Sequence, residues 1–547
     1  MNPLLNSLKA QIASGLKRRT VTSTSKWAEM YRVMGKPFPG PWTFKHHPWS
    51  REMHDIKSDI VVGQKAAQMG FTESALNKTF KTIDVDGNSV LYVLPANTPD
   101  ASDFSTSRFD PALESSTHLS QLFTDVKNIH HKRAGHANLF IRGSRSRSQL
   151  KSVPVSLMVF DEIDEMVQEN IPLAFERMSG QIEKEAFLIS TPTIDKVGIN
   201  EYFQQSTQRH FYFKCPHCSK QTELIFPECL VITADSANDN KIRDSYIICK
   251  DCGGRLEHDD KVNFLSQGTW IPTYSDRFIE GYYINQLYSM TVRPYELAVS
   301  FLKGQTNPAE EQEFYNSKLG VTHTVDGARI TSADIEACMG THRKVINSPP
   351  NAHVVMGVDV GKWIHYTIYQ VYLDADGNDV NLMSTTRLLA EGKCLNFEEL
   401  DLLVHNYGIH FTVIDANPEH RKALEFAQRF WGRVKLCYYG SGINSKQINV
   451  HDESEHTITV DRTSWIDMSM SRFRSKKIIL PVDVSHEYRE HIKAPVRIYS
   501  KDKSGNPVGK YVKGNEDDHF AHAHTYAEIA IPLSVSIAQS KNIGSIL

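Results

Sequence analysis

Three stretches of the C-terminal half each offer hard metal ligands. VVMGVDV at Val354 to Val360 closes an apolar run with Asp359, FTVID closes another with Asp415, and DDHFAHAH at Asp517 to His524 groups carboxylates with imidazoles. In-line phosphodiester hydrolysis uses two divalent ions about 4 Å apart, so its carboxylates must converge from different strands. Asp359 and Asp415 fit that demand, although an aspartate after a strand is often only a turn residue. In the third stretch Asp518 and His522 are spaced i, i+4 and share a helical face, with His519 beside them. The residues leave open which of Asp517, Asp518, His519 and His522 joins the metal, and a solvated helix cap is the alternative for each.

The N-terminal half carries a different chemistry. In VVGQKAAQMGFTES, Val61 to Ser74, a strand runs into a helical pattern. A phosphate cradle there needs a cation, a small residue for close backbone approach and a hydroxyl for magnesium. Lys65, Gly70 and Thr72 supply them, but Phe71 stands where the usual motif has lysine. An ordinary strand-turn-helix therefore competes until LMVFDEIDEM, Leu157 to Met166, is added. Asp161 at a strand tip suits magnesium and Glu162 suits the attacking water, while Asp164 and Glu165 read as acids complementing a helix N-terminus. LISTPT places Ser190 and Thr191 where a nucleotide sensor belongs. Arg142, Arg145, Arg147 and Arg177 are candidates for an arginine acting on the γ-phosphate.

Of the eight cysteines, Cys215, Cys218, Cys249 and Cys252 form two CxxC pairs thirty residues apart. Four thiolates so spaced, with Gly253 and Gly254 following, predict a structural zinc site; His217 is the alternative fourth ligand. The remaining cysteines are scattered, which indicates a reducing compartment.

The elements that must position these residues follow from periodicity. From Ser58 to Thr193 apolar runs alternate with helical patterns, which predicts a parallel sheet with helices on its faces. From Val354 the order is two strands, a turn at DADGND, a strand, a helix, a strand and a helix. With 547 residues, 40% hydrophobic and 23% charged, the chain exceeds one core and predicts two soluble domains plus an insertion. A formal charge of −3 leaves nucleic-acid binding to local basic surface, with Arg472, Arg474, Lys476, Lys477, Lys501, Lys503, Lys510 and Lys513 as candidates. No stretch has the length and apolarity of a membrane span.

In this order the parts resemble the large terminase subunit of tailed bacteriophages, of the lambda-like GpA family with its zinc-binding insertion. The likeness runs from about Trp42 to Ala530. It rests on KAAQMGFTE at Lys65 to Glu73, GSRSRSQLKSVPVSLMVFDEID at Gly143 to Asp164, EGYYINQLYS at Glu280, FYNSKLG at Phe314 and VDRTSWIDMSMSRFRSKKIILP at Val460. HFAHAHTYA at His519 puts His522 where many terminases have a metal-binding aspartate, so Asp518 is expected to supply the carboxylate, with His519 or His522 as a nitrogen ligand.

The resemblance implies an α/β architecture: a RecA-like ATPase domain with a zinc-binding insertion, then an RNase H-like nuclease. The expected boundaries are a helical arm at 1–41, ATPase core 42–209, zinc insertion 210–275, bridge 276–350, nuclease 351–532 and a tail at 533–547. It implies an ATP-driven motor that moves viral double-stranded DNA into a procapsid and cuts concatemers. ATP is expected at Lys65, Gly70, Thr72 and Asp161, with Glu162 catalytic and Ser190 and Thr191 coupling. The nuclease is expected to hold magnesium or manganese with Asp359, Asp415, Asp518 and His522. Expected partners are a small terminase subunit, a portal and other copies in a ring, in the host cytoplasm and away from membranes. Two rivals are a helicase or repair ATPase with an appended nuclease, and a zinc-stapled DNA-binding or assembly protein without activity.

Overall fold

A computed structural model describes residues 23–124, 126–151, 154–372, 385–440, 448–450, 456–502, 506–514 and 516–543. The chain divides into two compact units, Met1–His323 and Thr324–Leu547. DADGND and Lys503 lie outside the described residues.

In the first unit an eleven-stranded sheet has a parallel centre, ordered Arg209–Lys214, Glu280–Ile284, Ile60–Lys65, Glu185–Ser190, Leu157–Asp161, Val90–Leu94 and Ala137–Gly143. One strand thus separates the Lys65 strand from the Asp161 strand, the RecA-like order. The inner four, Ile60–Lys65, Glu185–Ser190, Leu157–Asp161 and Val90–Leu94, are buried on both faces and rich in Val, Ile, Leu and Phe. Antiparallel strands flank this centre: His131–Ala134 and then Val126–Asn128 beyond Ala137–Gly143, and Thr269–Pro272 and Gln221–Thr222 beside Arg209–Lys214.

Two expected boundaries are corrected here. Glu280–Ile284, placed in the bridge, is a central strand paired in parallel with the Lys65 strand. The expected arm also contributes core: the helix Thr24–Tyr31 buries Trp27, whose indole N–H donates to Asp84 at 2.9 Å. Residues 1–22 are outside the described residues.

The second unit is built on an eight-stranded sheet whose centre runs Val434–Gly440, Phe411–Asp415, His353–Val360, Ile364–Val371 and Thr386–Cys394. Ile364–Val371 runs antiparallel to both His353–Val360 and Thr386–Cys394, and the first two strands run parallel to His353–Val360. This is the RNase H-like order. Side chains alternate between two cores, with Val354, Met356 and Val358 on the face covered by Phe397–Asn406 and His420–Arg429, and Val355 on the other. Asp359 therefore shares the face of Val355 and Gly357, over which the C-terminal helix His519–Ile543 lies. That helix runs beyond 532, so the expected tail is partly helical. A hairpin, Pro495–Lys501 with Pro507–Lys513, carries exposed Lys501, Lys510 and Lys513.

Candidate functional sites of the two units

Lys65, Thr72, Asp161 and Glu162 meet at the C-terminal ends of the parallel strands of the first unit. The Thr72 hydroxyl donates to Asp161 Oδ1 at 3.3 Å, and Tyr92 OH donates to Asp161 Oδ2 at 2.7 Å. Lys65 Nζ lies 3.3 Å from Glu162 Oε1 and 3.5 Å from Thr191 Oγ1. Ser190 Oγ donates to Glu162 Oε2 at 3.4 Å, joining the strand between them to the cluster. Burial, and then the charge of Glu162, raise the Asp161 carboxyl to about 6. A dication bound between Thr72 and Asp161 would reverse that rise. Glu162 is held at φ +62°, a left-handed conformation that costs a non-glycine residue of order 1–3 kcal/mol and recurs where geometry serves a site.

Gly70, at φ +83°, caps the helix Phe71–Lys81 whose first turn faces the cavity. Phe71 does not face a ligand with its ring: it is buried against Gly63 beneath the sheet. The loop between Lys65 and Gly70 is propped from far along the chain. Ala66 N–H donates to Ile284 O, Ala67 N–H to Ser317 O, and Gln286 Nε2 to Ala67 O. Gly320 lies so close that a Cβ there would sit 2.5 Å from Ala66 N. These props come from EGYYINQLYS and FYNSKLG, whose role no local pattern revealed.

A cavity of about 540 Å³ opens above, lined by Lys65, Gly70, Thr72, Glu162 and Thr191 and by Phe38, His46 and Trp42. Its described arginine is Arg108, which lies 3.7 Å from Glu73. Arg142, Arg145, Arg147 and Arg177 do not line it; Arg142 donates to His130 O and Arg147 to Asn170. Asp164 sits at helix N-termini, in the first turn of Ile163–Glu165 and at the start of Ile199–Gln205. It accepts N–H bonds from Thr193 and Ile199 and so ties the strand end carrying Glu162 to the following loop.

The four paired cysteines bring their sulfurs within 4.8 Å of one another. Gly253, at φ +69°, turns its N–H to Cys249 O, and Ser219 does likewise to Cys215 O. His217 is not placed as a fourth ligand: its Nε2 bonds the Arg255 carbonyl at 2.7 Å.

In the second unit, Asp359 and Asp415 end adjacent parallel strands on the same sheet face. Burial, followed by the Asp359 charge, raises the Asp415 carboxyl to about 6. His519 Nδ1 lies 2.8 Å from Asp359 Oδ2, and the His365 ring stacks on His519 at 4.5 Å and 9°. His365 stands opposite Asp359 in the antiparallel register, a placement the sequence did not reveal. Among the described residues Asp359, His365 and His519 have ligand atoms within 4.8 Å of one another. Asp518 instead pairs with His522 at 3.3 Å; burial opposes the shift, but His522 draws its carboxyl down to about 2. Arg472, read as a DNA contact, is buried and bonded to Glu528 at 2.7 Å.

A phosphate-binding sheet and a separate carboxylate-bearing sheet of this kind define a nucleotide hydrolase joined to a nuclease. The model of the phage terminase large subunit gpA ATPase domain matches residues 36–270, and that of the terminase large subunit gpA endonuclease domain matches 279–371. The chain belongs to the gpA family of phage terminase large subunits and carries its ATPase and endonuclease domains. The nuclease match stops before Asp415. Among solved structures, the HK97 bacteriophage large terminase aligns at 10% identity over 94% of this chain and 99% of that chain, with a TM-score of 0.47. A large terminase from a thermophilic bacteriophage aligns at 10% identity over 89% and 98%, TM-score 0.30. The large terminase nuclease of thermophilic phage G20c with bound magnesium aligns at 14% identity over 36% and 94%, TM-score 0.23. No curated protein matches.

Proposed function

We propose that the first unit hydrolyses ATP with Lys65 and the Gly70 turn on the phosphates, Thr72 and Asp161 on magnesium, and Glu162 on the attacking water. The convergence of Thr72 on Asp161 and of Lys65 on Glu162 at one cavity carries this reading. Ser190 and Thr191, touching Glu162 and Lys65, are the groups that would report nucleotide state to the rest of the unit. Bound magnesium would neutralise developing phosphate charge. The chain's own groups do the rest: Lys65 fixes the phosphates, and Glu162, held by Ser190, orients the attacking water and accepts its proton.

The second unit is proposed to cut viral double-stranded DNA with divalent ions on Asp359 and Asp415, and Asp518 as the third carboxylate. Two carboxylates on one face, one of them raised by burial and then by the other's charge, form a donor set that a cation would satisfy. Because Asp518 is drawn toward His522, His522 acts here as its partner. The cysteine cluster is proposed to hold zinc. A small terminase subunit, a portal and sister copies in a ring are proposed as the motor's further partners, a reading that family membership supports. No helix among the described residues is long and apolar enough to cross a membrane.

Separate substitutions test the two assignments. Glu162→Gln should abolish ATP turnover while metal-dependent DNA cutting persists, and Asp359→Asn should do the reverse. Unchanged turnover in Glu162→Gln would sink the motor assignment.

A further inference from the structure

We propose that Trp363 is an aromatic wedge of the nuclease, which enters the duplex beside the scissile phosphate and unstacks a base step while the DNA strand is cut. This rests on the reading of Asp359 as the centre of cutting.

The register of the sheet puts the ring next to that centre. Asp359, His365 and Lys393 stand directly opposite one another on three neighbouring antiparallel strands, so they form one row across a single face. Trp363 precedes His365 by two residues and shares that face. The Lys393 ammonium fits this placement, lying 5.8 Å from the centre of the indole ring. Two residues span about 7 Å along a strand, roughly the rise of two nucleotides in duplex DNA. A duplex whose phosphodiester reaches Asp359 therefore passes within reach of the indole.

The turn that carries Trp363 projects it outward. Trp363 is 40% exposed, although Ile364 and His365 beside it are buried. The Gly361 N–H donates to Trp363 O at 3.1 Å, which closes the turn tightly, and a Cβ on Gly361 would stand 3.5 Å from His519 Cε1. The ring is thus mounted on the rim of the site. Leu395, just past the end of the neighbouring strand, is 69% exposed and extends the apolar step. Lys362, at the tip of the turn, is exposed and offers a charge to phosphate. An indole flanked by cations matches stacked bases on an anionic backbone, not an apolar protein surface. Apolar side chains inserted at a base step kink the duplex, most cheaply at pyrimidine–purine steps.

Cutting of short duplexes by the full chain tests the wedge. Trp363→Ala should cut a fully paired duplex about tenfold or more slowly than the parent. It should cut a duplex with a central two-base mismatch within about threefold of the parent, because that step is already unstacked. Trp363→Phe should keep most of the activity on both. Trp431→Ala removes a 68% exposed indole at the opposite end of the sheet's parallel strands and should cut both duplexes like the parent. A further measurement needs no change at Trp363: 2-aminopurine in the duplex should brighten when the cutting-dead Asp359→Asn chain binds. Parental cutting of the paired duplex by Trp363→Ala, an equal loss on both duplexes, or no brightening overturns the proposal and leaves Asp359 as the centre of cutting. Cutting that survives Asp359→Asn would overturn the underlying assignment instead.

Discussion

The ring of Phe71 occupies the space into which a Cβ on Gly63 would project, 2.6 Å from the ring's Cδ2. Phenylalanine at the position usually given to the phosphate-binding lysine is thus a core residue that seats the helix Phe71–Lys81 on the sheet. Lys65, arriving from the strand, is the cation proposed to take over the charge.

Phe71→Lys in a Lys65→Ala background should therefore not restore ATP turnover. Lys65→Ala alone should lose a factor of about 100 or more, and Phe71→Lys should destabilise the first unit by about 3 kcal/mol or more through a lost ring and an unpaired buried cation. Turnover assays and denaturant unfolding check both. Recovery of turnover in the double variant would show that the lysine position is interchangeable.

Gly357→Ala should disable DNA cutting while sparing ATP turnover. The added Cβ would stand 2.0 Å from Ala523 O and 2.1 Å from Ala527 N, so the C-terminal helix must move and carry Asp518 and His519 away from Asp359. Overpacking of this kind costs about 1–3 kcal/mol. Full cutting activity in the variant would mean that the helix is not positioned by this contact.

Arg472→Met should destabilise the second unit by about 3–5 kcal/mol, because Glu528 would be left charged and buried. Adding Glu528→Gln should recover much of the loss. Urea unfolding of the single and double variants measures this, and a single variant of parental stability would count against it.

The second unit should lose stability on the acid side through His524. Burial, then the nearby Arg472 charge, lower this ring to about 3, while its Nε2 bonds Ser469 O. Unfolded, it takes a proton near pH 6.5. Between those values the unfolded state binds more protons, so stability is full above about pH 6.5 and falls toward pH 3 by up to about 1.4 kcal/mol per pH unit. His524→Gln should flatten that slope in unfolding midpoints between pH 7.5 and 4.5; a slope as steep as the parent's would contradict the assignment.

Cys249→Ser should release bound zinc, measurable by atomic absorption, and loosen the three short strands Leu230–Val231, Tyr246–Ile248 and Arg255–Leu256. Equal zinc content in parent and variant would exclude the cysteine cluster as its holder.

The placement of Lys65, Asp161, Glu162, Asp359 and Asp415 at or just beyond strand ends is legible because each closes an apolar run, and a strand end is where a parallel sheet presents side chains to a ligand. What escaped the sequence depends on partners distant along the chain. His365 reaches Asp359 only through antiparallel register. Arg472 looked like surface charge because nothing local foretells burial beside Glu528. Gln286, by its side-chain amide, and Ser317, by its carbonyl, prop the Lys65–Gly70 loop through contacts that carry no motif, and Arg108 borders the cavity from a segment outside the basic stretch.

The late central strand Glu280–Ile284 has a consequence for biogenesis. During synthesis the segment holding Lys65 emerges more than two hundred residues before its lateral neighbour, and the cysteine-rich excursion must be traversed in between. Nucleotide pocket assembly thus waits on a long-range closure. A ribosome paused before that strand would display a half-made sheet with an open edge, exposed to chaperones and to other nascent copies.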